Sequence, residues 1–138
     1  MEIKQERWPL LTFKEYENDI NPNPTYQRSS VWKPEQKQIL IDSILRKIDI
    51  PKIYLRELKD GSFQYEIIDG QQRMRAIWDF LGNRFSLSEE AEELLIKGEI
   101  YEVSEKPYNE LEAAIKIERI HKYSLDVVIV YDATEDEI

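Results

Sequence analysis

Residues 67–76 read IIDGQQRMRA. Two β-branched residues run into Asp69-Gly70, and a helical stretch carrying Arg73 and Arg75 leaves the pair. A helix that starts near Gln71 has first-turn amides without intrahelical acceptors, and its dipole end is positive. Such a join takes phosphate readily. Gly70 permits dihedrals and a close backbone approach that a side chain forbids. Arg73 and Arg75 add charge, and a guanidinium can hold phosphate oxygens through two parallel hydrogen bonds. The backbone N–H groups of Gln71 and Gln72 complete the set. Asp69 can cap the helix, hold a divalent cation or position a water. These residues suit a phosphate cradle. A plain turn with solvent-facing arginines fits the same ten residues.

A second candidate is PTYQR, residues 24–28, followed by Trp32. Tyr26 and Trp32 bracket Arg28 in a stretch constrained by prolines. Aromatic rings can stack a base while an arginine holds phosphate, or both rings can pack in the core with Arg28 at the surface. Gln27 can read a base edge or satisfy a backbone group. Other chemistry-bearing residues point to structural roles. His121 is the sole histidine and ends a helical stretch, where a cation favours the dipole. The run EEAEE (89–93) turns its carboxylates in different directions if helical and reads as a solvated face. Asp126 and Asp132 bracket a hydrophobic strand and read as strand-end residues.

The elements that must hold these residues follow from periodicity. LTFKEYEN is a short amphipathic helix. INPNPTYQRSSVW, with two prolines, is an ordered loop or edge segment. Pro34 opens a helix to Ile48, with Ile41, Ile44, Leu45 and Ile48 on its apolar stripe, and Pro51 ends that stretch. KIYLRE (52–57) and FQYEII (63–68) flank a Gly turn and predict a hairpin. The helix after Gly70 carries Met74, Ile77, Trp78 and Leu81 inward and closes at Gly82-Asn83. Residues 88–97 are expected to be helical with Ser88 as N-cap, 98–108 irregular, and 108–123 a strong helix. LDVVIVY (125–131) is the best strand. Thr134 with its acids reads as the start of another helix, so the expectation is one domain, 1–138, that continues into a longer protein.

Composition bounds the rest. A chain of 138 residues suits one domain with a real core. The absence of cysteine excludes disulfides, thiolate metal sites and cysteine catalysis, and suits a reducing, cytoplasmic setting. MEIKQERWPL is too charged for a secretory h-region. The net charge of −9 is uneven: residues 1–84 carry 14 Lys and Arg against 13 Asp and Glu, and residues 85–138 carry 5 against 15. An anion site must therefore lie in the N-terminal portion. A nuclease needs several carboxylates or histidines converging on an ion, and the best site here has one acid, so DNA cleavage by this chain alone is not expected.

Taken together, IIDGQQRMRAIWDFL, the upstream NPTYQRSSVWKPEQKQILIDSILRKIDIPKIYLRE, RFSL and LDVVIVYDA resemble the DGQQR-motif, ParB-like N-terminal domain of GmrSD-type restriction proteins, over roughly residues 10–135. Residues 70–76 also parallel the Gly-Glu-Arg-Arg-x-Arg-Ala pattern of ParB, whose loop and helix start bind a nucleotide triphosphate. Gln71 and Gln72 depart from that pattern, so ParB's hydrolytic details do not transfer. Sulfiredoxin's reactive cysteine has no counterpart. The resemblance implies an α+β, ParB/sulfiredoxin-like fold with a small mixed sheet and packed helices. It implies a nucleoside triphosphate with Mg²⁺, bound through Tyr26, Gln27, Arg28, Gly70, Gln71, Gln72, Arg73 and Arg75. Asp69 and Arg73 would act in slow, Mg²⁺-dependent hydrolysis, with Asp69 toward the metal. The domain would regulate a nuclease module, in cis or in trans, within an anti-phage restriction system. DNA, reached through the full-length protein, and a second copy of the chain are further expected partners. The alternative is a nucleotide- or DNA-sensing module without turnover.

Overall fold

The computed structural model describes residues 1–23 and 31–131. In chain order these form β1 (Glu2–Pro9), α1 (Leu10–Glu15), β2 (Ile20–Asn21), α2 (Pro34–Leu45), β3 (Ile53–Glu57), β4 (Tyr65–Asp69), α3 (Gln71–Leu81), β5 (Leu94–Ile96), β6 (Glu99–Tyr101), a 3₁₀ turn (Tyr108–Glu110), α4 (Ala113–Ile115), a π-helical continuation (Lys116–His121) and β7 (Ser124–Tyr131). The fold is α+β. Five strands make one mixed sheet in the order β1-β7-β3-β4-β2, and β5 and β6 form a separate hairpin. β3 runs antiparallel to β4 and parallel to β7, and β2 runs parallel to β4.

Strand alternation explains which face is covered. Ile53 and Leu55 of β3, Ile67 of β4, and Val127 and Ile129 of β7 enter the main core with helix residues Phe13, Ile44, Leu45, Met74 and Trp78. On other positions of the same strands, Arg56 and Glu66 are register partners and form a 2.8 Å ion pair. α3 is amphipathic, and it buries Ala76 and Phe80 as well as the expected stripe. The Trp78 indole N–H donates to the Phe13 carbonyl (2.7 Å), satisfying its one polar atom inside the core. No helix among the described residues is long and apolar enough to cross a membrane.

Several expectations need correction. Residues 88–97 are not a helix: they hold a turn and then β5. Leu94 and Ile96 are buried and Leu95 between them is exposed, a period of two. Lys97 (φ 51°) and Gly98 (φ 84°) are both left-handed, as a two-residue hairpin turn matched to strand twist requires. The Ser88 hydroxyl accepts from Glu90 N (3.1 Å) within a turn. The stretch 98–108 thus contains β6. Residues 108–123 are not one helix: Leu111 is extended (φ −67°, ψ 142°) and buried. The π turn that follows suits Ile115 and Ile120, buried five residues apart. α2 stops at Leu45, Lys47 is left-handed, and Ile48 is exposed rather than on the stripe. β1 was no part of the expected strands; only its Trp8 is buried, and pairing with β7 from Glu2 to Pro9 makes it a strand. Asp126 lies within β7 and accepts from Arg7 (2.9 Å), a structural pair. The segment around Thr134 and Asp132 lies outside the described residues.

An ion network ties the helices together. Asp79 of α3 accepts from Lys37 of α2 (2.8 Å) and from Arg84 (2.9 Å), and Arg84 also reaches Glu17 beyond α1 (3.2 Å). Burial alone would raise the Asp79 carboxyl, but the hydrogen bonds from Lys37 and Arg84 outweigh it and hold it below its ordinary 3.8. A carboxyl depressed in the fold adds stability above its unfolded value and loses it as pH falls through the folded value. Asp79→Asn should therefore lower stability by about 1 kcal/mol near neutrality, discounted because Arg84 is largely in water. Urea midpoints measured across pH should show the gap closing below pH 4; a gap that stays constant to pH 2 would contradict the assignment.

Candidate functional site

β4 ends at Asp69, Gly70 turns left-handed (φ 103°, ψ 19°), and α3 begins at Gln71. Met74 N closes the first turn on the Gly70 carbonyl (2.9 Å). No side chain among the described residues caps this helix start. A Cβ on Gly70 would stand 2.6 Å from Ile53 Cδ1 and 3.1 Å from Arg73 Nη2. The close approach that demands glycine is therefore internal: β3 and the Arg73 guanidinium fill that space.

Arg73 leans back over the join. Its Nη2 donates to the Lys52 carbonyl at the start of β3 (2.7 Å) and lies 3.8 Å from Asp69 Oδ2. Its Nε is buried with no partner among the described residues. Asp69 itself is 67% exposed along its side chain, and Arg73 is mostly covered. The guanidinium straps α3 to β3 and stands beside the exposed carboxylate.

The two glutamines turn their side chains inward. Gln71 Nε2 approaches the Ile67 and Ile68 carbonyls (3.4 and 3.5 Å). Gln72 Oε1 accepts from Trp32 N (3.2 Å), while its Nε2 is buried without a partner among the described residues. Arg75 points away from the core, as expected from the stripe, and donates to Asn23 Oδ1. Asn23 and Trp32 flank residues 24–30, so α3 holds the chain on either side of the PTYQR segment. Tyr26, Gln27 and Arg28 lie outside the described residues. Because β2 and β4 are parallel and β3 is antiparallel to β4, one end of the sheet gathers Asp69, Gly70, Arg73, Asn23 and the start of β3.

The roles of Lys52, Asn23 and Trp32 went unread in the sequence. Lys52 contributes a carbonyl and Trp32 an amide, groups every residue carries, so side-chain type holds no signal for them. The remaining candidates stay structural. His121 Nε2 hydrogen-bonds the Tyr108 hydroxyl (3.1 Å) at the surface. Among the described residues no three His, Cys, Asp or Glu side chains converge as a metal site, and Glu89, Glu90, Glu92 and Glu93 are exposed.

Residues 11–137 match the family model described as the N-terminal domain of the GmrSD restriction endonuclease. The chain belongs to this family. No curated protein and no solved structure matches it. Membership places this GmrSD-type domain within a restriction system. The matched range spans the β4–α3 join, with Asp69 through Arg75, and the PTYQR segment.

Proposed function

We propose that this GmrSD-type domain binds a nucleoside triphosphate at the β4–α3 join and hydrolyses it slowly, controlling a nuclease module elsewhere in the restriction system. The observation that carries the reading is the start of α3 behind a left-handed Gly70, without a side-chain cap among the described residues, with the chain on both sides of residues 24–30 tied to the same helix by Arg75 and Gln72. Oriented amides with a positive dipole end suit a polyphosphate. In this reading Gly70, Gln71 and Gln72 contribute backbone, Arg73 and Arg75 contribute charge, Arg28 reaches the phosphates, and Tyr26 and Gln27 meet the base. Asp69 fits Mg²⁺: it is exposed at the strand end, and Mg²⁺ is commonly held by one or two carboxylates together with substrate phosphates and water. The ion would neutralise phosphate charge, and Asp69 would orient it or a water.

A second reading, binding without turnover, draws on the lack of any three-membered acid or histidine cluster among the described residues and on the commitment of Arg73 to Lys52. Calorimetric titration with the four nucleoside triphosphates, with and without Mg²⁺, tests binding, and phosphate release separates the two readings. Saturable binding of at least one triphosphate is expected, with release abolished by Asp69→Asn. No binding at millimolar concentration would overturn both readings. Plasmid incubated with the domain and Mg²⁺ or Mn²⁺ should stay intact; cleavage lost on Asp69→Asn would make the domain itself a nuclease.

A further inference from the structure

A groove of about 460 Å³ runs between α2 and residues 87–92. It shares no residue with the β4–α3 join. Its apolar lining comes from the exposed Ile39, the half-buried Ala91 and the buried Leu87 beneath them, and its carboxylates from Glu35, Asp42, Glu90 and Glu92. Ile39 stands 66% exposed on α2, whose other isoleucines are buried. Ile39 and Ser43 also border a second, adjoining cleft, beside Trp32, Ile50 and Pro51.

The groove is built, not incidental. Gln38 Nε2 donates to the Ser86 carbonyl (3.0 Å) near one end, and the Arg46 guanidinium donates to the Glu92 and Glu93 carbonyls at the other. The opposite wall is pinned from behind by Ser104 Oγ on the Glu89 carbonyl (2.7 Å) and Glu105 N on the Ser88 carbonyl (3.2 Å). Such a wall loses little freedom when something binds. Arg46 pairs with Asp42 (3.3 Å), which leaves Glu35, Glu90 and Glu92 exposed at the rim. The surrounding chain deepens the negative field: residues 85–112 carry nine Glu against two Lys, and all nine carboxylates are exposed.

We propose that this groove docks a Lys/Arg-rich protein segment through one aliphatic or aromatic anchor seated on Ile39, Leu87 and Ala91. Charge selects the occupant. An acidic rim repels nucleic acid and anionic lipid and attracts cations. The apolar floor gives a hydrophobic anchor a seat that a bare polycation cannot use. Charged rim contacts set attraction and orientation, and the anchor sets residence.

The probe is an end-blocked basic peptide of Lys and Arg with one central leucine, titrated into the protein and followed by amide chemical shifts and calorimetry. Shifts should concentrate at Ile39, Ser43, Leu87 and Ala91. Ile39→Ser, an exposed change that spares the fold, should weaken binding about tenfold, as loss of a seated aliphatic contact does. Glu90→Gln with Glu92→Gln should weaken it several-fold, while Glu102→Gln with Glu110→Gln, an equal change in net charge outside the groove, should leave it within about twofold. Equal losses in the two double variants would reduce the binding to general attraction and overturn the proposal. No binding at millimolar peptide, or indifference to Ile39→Ser, would also overturn it. Spermidine shifting the same residues as strongly as the peptide would assign the groove to a polyamine instead.

Discussion

Gly70→Val should destabilise the whole domain, whatever it does to ligand binding. The added side chain meets two penalties. The backbone at φ 103° is one that L side chains rarely adopt, and the first added carbon falls 2.6 Å from Ile53 Cδ1. Ile53 is fully buried in the centre of the sheet, so it has little room to yield. Strain of about 1–3 kcal/mol at the backbone and about 1–3 kcal/mol from overpacking give roughly 2–6 kcal/mol in all. For a domain of this size that lowers the melting temperature by roughly 6–24 °C. Urea and thermal unfolding followed by circular dichroism measure it. Gly70→Ala should show a smaller loss of the same sign. Ile53→Val removes the clashing Cδ1, so the Gly70→Ala/Ile53→Val pair should be more stable than the sum of its two single losses predicts. Wild-type stability in Gly70→Val would show that the join tolerates a side chain and that glycine is there for a ligand instead.

Arg73→Ala is the decisive change for the proposed triphosphate site. Loss of a charge-assisted contact to phosphate is worth about 1.5–3 kcal/mol, or roughly tenfold to a hundredfold in affinity. The same substitution removes the bond to the Lys52 carbonyl and the neighbour of Asp69, so a modest loss of stability should accompany it, about 1 kcal/mol. The two effects are separated by titrating well below the melting temperature and confirming the fold by circular dichroism. Arg73→Lys keeps the charge but not the planar fork, and should also weaken binding. Asp69→Asn should spare binding more than turnover. If Arg73→Ala binds triphosphate as the wild type does, the guanidinium serves only as a strap between α3 and β3, and the phosphate site lies elsewhere.

These two residues share one geometry. Arg73 packs over Gly70 because no Cβ stands in its way, and in that position its Nη2 meets a carbonyl 21 residues earlier in the chain. A substitution at Gly70 therefore disturbs Arg73 as well. Gly70 variants report on stability before they report on binding.

What the sequence determined by itself is mostly what local rules govern. Strand, Asp-Gly and helix at 65–81 are legible because the apolar stripe of α3, the left-handed demand at Gly70 and the β-branched end of β4 all depend on neighbours within a few residues. The hairpin of β3 and β4, the Pro34 start of α2 and the strand expected at 125–131 were legible for the same reason, and the family resemblance implied the α+β class. Tertiary structure decided the rest. Leu94-Leu95-Ile96 is a short apolar run that suits helix or strand alike, and a hairpin partner at Glu99–Tyr101 chose strand. β1 has a mostly polar, exposed sequence and exists because the edge of β7 offers it a ladder. Leu111 breaks the stretch 108–123 by packing into the core as an extended residue. At the site, residue types pointed to Asp69, Gly70 and Arg73. That Arg73 spans to Lys52, that Gln72 holds Trp32, and that Arg75 holds Asn23 depended on contacts across 21, 40 and 52 residues. Two of those three contacts are made to backbone atoms, which every residue carries alike. Only the folded chain can say which of them an arginine or a glutamine will meet.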